Sequence, residues 1–209
     1  MTLPAAAPAV RSYRPEDADA LDDICVRTAH VGRDARPHYT DPGVFPVTFA
    51  RPYVALEPEL AFVLDGGEGD VGYVLGTADT ARFVGDFRAK WLPQVSERYP
   101  ALAGPPRTPE EEIVALLHTP ERMLVPEVAD YPAHLHIDLL PRWQGRGYGR
   151  ALMDTFLDAL RNRGVAGVHL SMLTANIPAR AFYDRLGFHE VAVPDADASV
   201  TYLARDLRT

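Results

Sequence analysis

Three glycines at every second position, Gly145, Gly147 and Gly149, sit among Gln144, Arg146, Tyr148 and Arg150, just after an apolar stretch that stops at Pro141. Glycine lets a backbone turn tightly and lets its N–H groups approach a ligand. A helix start adds unpaired donors and the positive end of a dipole. A strand, such a loop and a helix in succession are suited to holding phosphate. Immediately upstream, His134, His136 and Asp138 alternate with Leu135, Ile137 and Leu139. On a strand this alternation sets the three ionisable groups on one face and the three apolar ones on the other. Groups able to accept and release protons therefore lie beside the phosphate loop.

The elements that must position these groups follow from the pattern along the chain. Residues 1–8 are rich in Ala and Pro and are expected to be frayed. A short strand is expected at 10–14. Pro15, Glu16 and Asp17 then open a helix whose apolar face carries Leu21, Ile24, Cys25, Thr28 and Ala29. The density of Pro and Gly between 31 and 58 implies loops with a short helical piece. Residues 60–65 and 71–77 read as a hairpin turning at 66–70. Residues 80–130 break the rhythm: 81–95 is amphipathic through Phe83, Val84, Phe87 and Trp91, and 100–109 is a rigid proline loop. Thr108, Pro109, Glu110 and Glu111 cap a helix through Leu117. This segment is read as a helical insertion covering one side of the molecule. The rest is regular: strand 133–140, helix 148–163, strand 166–172, helix 177–186, and strands 188–193 and 199–205. The class is α/β, and the 209 residues are expected to form one domain with a sizeable core.

Composition excludes several function classes. A content of 47% hydrophobic and 24% charged residues marks a globular chain. The net charge of −8 argues against nucleic-acid binding, which depends on neutralising phosphates with Lys and Arg. No run approaches the roughly 18 apolar residues of a membrane span, and the N-terminus lacks the basic flank and apolar region of a signal peptide. A cytoplasmic protein without a membrane partner is expected. The single cysteine, Cys25, leaves no internal disulfide and no Cys-based zinc site, and its place on an apolar helix face implies a buried thiol. His134-x-His136-x-Asp138 also opens the metallo-hydrolase pattern H-x-H-x-D-H, in which two histidines on a strand share a metal, but the next position is Leu139.

The evenly spaced glycines do not fit the dinucleotide pattern G-x-G-x-x-G, and the P-loop lysine is missing. They do fit Q/R-x-x-G-x-G/A, as Gln144-Gly145-Arg146-Gly147-Tyr148-Gly149. Further on, Asn176, Ala179, Tyr183, Gly187 and Phe188 follow the spacing N-x-x-A-x-x-x-Y-x-x-x-G-F. Together these two segments resemble the GNAT superfamily of acyl-CoA-dependent N-acyltransferases. Finer strings, among them Tyr13-Arg14-Pro15-Glu16-Asp17, Gly72-Tyr73-Val74-Leu75-Gly76-Thr77 and Trp91-Leu92-Pro93, resemble the acetyltransferase-like C-terminal region of eukaryotic O-GlcNAcases and its free-standing bacterial relatives.

The resemblance implies a GNAT fold, a central mixed, twisted β-sheet of about seven strands flanked by helices, with the insertion at about 80–130 between the third and fourth strands. It implies acetyl-CoA as cosubstrate and no metal. Gln144, Gly145, Arg146, Gly147, Tyr148, Gly149 and Arg150 would hold its pyrophosphate, and Ile137, Leu139 and Asn176 its acyl-bearing arm. Asn176 could also cap the last helix, the two roles being compatible, and Arg150 could instead face solvent. The implied reaction is acetyl transfer to a small-molecule or peptide amine, by direct attack in a ternary complex. A lysine-like amine of pKa about 10.4 is neutral in about one molecule in 2,500 at pH 7, a handicap of roughly 4.6 kcal/mol. A positioned base is therefore worthwhile. Asp138 is expected to be that base, with His136 or His134 as proton exit; its alternative role is to fix a neighbouring loop or Arg142. Leu139 N–H would take the thioester carbonyl, and Tyr183 would protonate the leaving sulfur. The O-GlcNAcase regions resemble this fold with a degraded phosphate loop, so an acetyl-CoA-binding module without turnover is the alternative reading. Here the loop is intact. The sequence does not set the oligomeric state.

Overall fold

Among the described residues seven strands form one mixed sheet in the spatial order β1 (Ala9–Ser12), β2 (Ala61–Asp65), β3 (Asp70–Thr77), β4 (Ala133–Leu139), β5 (Gly167–Leu173), β7 (Val200–Asp206) and β6 (His189–Val191). Every neighbouring pair is antiparallel except β4 and β5, which run parallel. This computed structural model describes residues 7–194 and 196–208. The fraying expected at residues 1–8 therefore falls largely outside the described residues.

Among the described residues eight α-helices accompany the sheet: α1 (Ala18–Thr28), α2 (Val44–Phe49), α3 (Arg51–Leu56), α4 (Thr80–Asp86), α5 (Leu92–Val95), α6 (Pro109–Leu117), α7 (Tyr148–Arg161) and α8 (Ile177–Arg185). The loops expected at 31–58 contain two helices, α2 and α3, the latter started by Pro52 in its first turn. The helix expected at 81–95 is continuous in path, but a π turn at Phe87–Trp91 joins α4 to α5. Thr108 caps α6 as expected, its hydroxyl accepting from Glu111 N–H at 3.2 Å. The insertion is tied to α2 and α3: Trp91 Nε1 donates to Val47 O at 3.0 Å, and Phe83 stacks on Tyr53 at 4.5 Å.

The two faces of β4 meet different helices, as its alternation requires. Leu135 and Leu139 turn to the side of α7, which buries Leu152, Met153, Phe156, Leu157 and Leu160 along one stripe. His134, His136 and Asp138 turn to the opposite side, where α1 and α3 pack. His134 is thus buried, and His136 and Asp138 are half-buried, under these helices.

The strand pair that breaks the sheet is β4 with β5. Their register holds only at Ala133↔Val168 and His134↔His169. Beyond it β4 stays paired to β3 as far as Leu139, and β5 stays paired to β7 as far as Leu173. A cleft therefore opens between the C-terminal halves of β4 and β5, and the glycine loop begins at its mouth.

Candidate active site

Register decides which backbone groups look into this cleft. Leu140 N–H donates to Val71 O at 2.9 Å, so residues of even number on β4 bond to β3. The N–H groups of Ile137 and Leu139 point the other way, where β4 has no partner past His134. The loop that follows is shaped by Gly145 and Gly147, at φ 70° and 87°, a region that only glycine enters at low cost. A Cβ at either position would meet nothing within 4 Å, so the loop faces open space. Among the described residues, none of the backbone N–H groups of residues 145–150 has a hydrogen-bond partner. Six consecutive free donors at the start of the 14-residue helix α7 fit a diphosphate.

Side chains around the loop divide into anchors and free groups. Gln144 Nε2 donates to Leu139 O at 2.9 Å and pins the loop to the strand end, so its amide serves the protein and its backbone faces the loop. Tyr148 packs on Trp143 at 5.5 Å. Gly149 lies where a Cβ would come within 3.2 Å of the Phe182 ring, which brings α7 against α8. Arg146 is exposed. Arg150 is exposed too and donates to Arg185 O at 3.2 Å, joining the two helices. Of the two roles expected for Asn176, the geometry displays the cap: its Oδ1 accepts from Ala179 N–H at 3.3 Å.

Asp138 is fixed neither to a loop nor to Arg142, which is exposed. Its Oδ2 accepts from Tyr73 Oη at 2.6 Å, and Tyr73 is its direct cross-strand partner on β3. Burial raises the Asp138 pKa, while the hydrogen bond from Tyr73 holds it down. The carboxyl is thus a stronger base than an exposed aspartate. Cys25 lies beside this pair, 4% exposed, with its thiol pKa pushed up by burial and by Asp138, which removes it as a nucleophile. Tyr183 is also buried, at 8% exposure, between Phe182 and Phe188. Burial first, and Asp138 second, raise its pKa above the ordinary phenol value.

The histidines are a correction to the expected proton exit. Thr80 Oγ1 donates to Pro132 O at 2.8 Å, so it must accept from His134 Nδ1, also at 2.8 Å. That leaves His134 Nε2 to accept from Tyr53 Oη at 2.7 Å, and Tyr53 to accept from His136 Nε2 at 3.1 Å. The chain runs inward and ends on a carbonyl, which passes no proton on. His134, 6% exposed, has both ring nitrogens engaged and none left for a metal. Burial lowers its pKa well below the usual value and brings that of His136 to about 4, so both are neutral at pH 7. Among the described residues, no group of three or more His, Cys, Asp and Glu side chains is placed to hold a metal ion. No helix among them is long and apolar enough to cross a membrane.

Pattern reading missed Tyr73 and Tyr53, the groups that hold Asp138 and the two histidines. Tyr73 was visible as an aromatic on a strand of a hairpin; nothing local revealed that its strand pairs with β4.

Comparison with known proteins agrees with this architecture. The model of the acetyltransferase (GNAT) family matches residues 112–188. A solved structure of SsHAT is 74% identical, covering 98% of this chain and all of that one, with a TM-score of 0.94. The O-GlcNAcase of Rattus norvegicus is 25% identical over 185 residues, 88% of this chain, and the chain spans only 20% of that protein. A structure of YncA from Salmonella typhimurium, a putative acetyltransferase with its cofactor acetyl-CoA, shares the fold at 15% identity and a TM-score of 0.56. The chain belongs to the acetyltransferase (GNAT) family.

Proposed function

We propose that the chain is a single acetyl-CoA-dependent N-acetyltransferase domain that transfers the acetyl group directly to an amine in a ternary complex. The observation that carries this reading is the run of unpartnered N–H groups at residues 145–150, set at the mouth of the β4–β5 cleft. Gly145, Arg146, Gly147, Tyr148, Gly149 and Arg150 hold the diphosphate through their backbone, with Gln144 locking the loop. The N–H groups of Ile137 and Leu139 hold the acyl-bearing arm along the open edge of β4, Leu139 taking the thioester carbonyl. Asn176 shapes the end of the cleft by capping α8. Acetyl-CoA supplies the activated acyl group; it fits this donor set, and no metal is needed.

Asp138 removes the proton from the attacking amine, its pKa raised by burial toward the range useful to a base. His136 and His134 keep their single protons and brace the strand. Tyr183 donates a hydrogen bond to the departing sulfur. Since its pKa lies above that of an ordinary phenol, it keeps its proton until charge has built on the sulfur. Cys25 takes no part, so no covalent acyl-enzyme forms on it.

Thiol release from acetyl-CoA, measured against a panel of small and peptide amines, tests the reading. Release that depends on an amine supports it. Acetyl-CoA binding without release for any amine would move the protein to a binding module, and no binding would remove both.

A further inference from the structure

Arg122 stands out on the acceptor side of this site. It lies on a short 3-10 turn, Pro120–Met123, at the end of the insertion, and its guanidinium sits half-buried over the Phe49 ring at 5.6 Å. Phe49 in turn packs on His136 at 6.0 Å. Among the described residues Arg122 takes part in no ion pair; its guanidinium makes one hydrogen bond, a long one of 3.4 Å, to Leu116 O. Its neighbours Arg82 and Arg88, by contrast, are neutralised by Glu57 and Glu121. Burial lowers the Arg122 pKa, and Tyr53 and Tyr202, which act against this, are within its electrostatic reach. A half-buried guanidinium with no carboxylate is costly unless something anionic visits it.

The sheet supplies the space for a visitor. His134 pairs with His169 and Ser171 with Tyr202, so these side chains share the face that carries His136 and Asp138. Over the C-terminal end of β5 this face is uncovered, with Ser171 exposed and Leu173 43% exposed, while His169 before them is buried. An acceptor lying there has Asp138 ahead of it and Arg122 behind.

We propose that Arg122 binds a carboxylate carried by the acceptor, so that the substrate is a small amine that is also an acid, an amino acid and not a polyamine. This rests on the acetyltransferase reading above and names its substrate class. The guanidinium fork matches a carboxylate in two parallel hydrogen bonds.

The test measures thiol release from acetyl-CoA with glycine, 4-aminobutyrate and 6-aminohexanoate, each beside its carboxamide. The wild type is expected to favour at least one acid over its amide by tenfold or more in kcat/KM. In Arg122→Gln that ratio falls toward one, chiefly through KM, and Arg122→Lys restores part of it. Equal use of acids and amides by the wild type, or an equal loss for both members of a pair in Arg122→Gln, overturns the proposal. Calorimetry with acetyl-CoA on wild type and both variants separates the two layers of inference. Unchanged affinity is expected in all three. A wild type that binds no acetyl-CoA brings down the acetyltransferase reading and this one with it, whereas binding and turnover without acid preference overturns this one alone. Arg122→Lys keeps the charge and the stem, so a folding defect confined to Arg122→Gln leaves the comparison of acids with amides decisive.

Discussion

Replacing Tyr73 by Phe removes the hydroxyl that donates to Asp138 at 2.6 Å and keeps the ring, 1% exposed, in its place. That hydroxyl stabilises the carboxylate and not the carboxylic acid, so its loss must raise the Asp138 pKa further. A hydrogen bond to a charged group is worth about 1.5–3 kcal/mol, and one pKa unit corresponds to about 1.4 kcal/mol, so the shift is about 1–2 units upward. If Asp138 is the base, it works only when ionised. The acidic limb of kcat/KM against pH should then move up by the same 1–2 units, roughly, while the plateau on the alkaline side stays near that of the wild type. Thiol release, followed from mildly acidic to mildly alkaline pH with saturating acetyl-CoA, gives the two profiles. Asp138→Asn is the companion variant and should lose about 100- to 10,000-fold at every pH. An acidic limb that stays put in Tyr73→Phe, or moves down, would refute the assignment of Asp138, since no other route lets the phenol act on that limb.

Tyr183→Phe should lower kcat by about 10- to 100-fold and leave acetyl-CoA affinity within about twofold, as expected for a donor used only when charge develops on sulfur; equal losses in both, by calorimetry and turnover, would mean that the ring only shapes the site. Gly147→Val places a branched side chain at φ 87°, at a cost of about 1–2 kcal/mol or more, and the loop escapes by re-aiming its donors. Acetyl-CoA should then bind at least about tenfold more weakly, with the global unfolding midpoint little changed. His136 has a folded pKa of about 4 against about 6.5 in the unfolded chain, so the unfolded state binds more protons between these values. Its contribution is complete above pH of about 6.5 and is lost as pH falls through about 4, to the extent of about 3 kcal/mol. His136→Gln, which can still donate to Tyr53, should show that much less acid destabilisation in chemical denaturation. Asp70, pushed up to about 6 by burial, acts in the opposite direction but equally in both proteins.

The parts of this molecule that were readable from residue order are those fixed by local rules. Alternation on β4, the apolar stripe of α7, the Thr108 cap and the glycines at 145 and 147 each act within a few residues, and each stands where its pattern required. The cleft was not readable in itself, because it arises from a register between β4 and β5 that stops after two pairs. Nor were the partners of the ionisable face. Tyr73 lies 65 residues before Asp138, and Tyr53 lies 83 before His136, so neither contact leaves a trace in any short window. That distance is why the histidines read as a proton path: their alternation was visible, while the Tyr53, Thr80 and Pro132 groups that close the path were not. Gln144 shows the reverse case, a residue correctly marked by its motif whose side chain turns back to Leu139 O.

Calorimetric titration of the purified chain with coenzyme A and acetyl-CoA, alongside Gly147→Val, puts the backbone cradle at residues 145–150 to the most direct test. Saturable association in the micromolar range, weakened at least about tenfold in the variant, is the predicted result. No heat of association at millimolar ligand, or identical affinity in the two proteins, would contradict it.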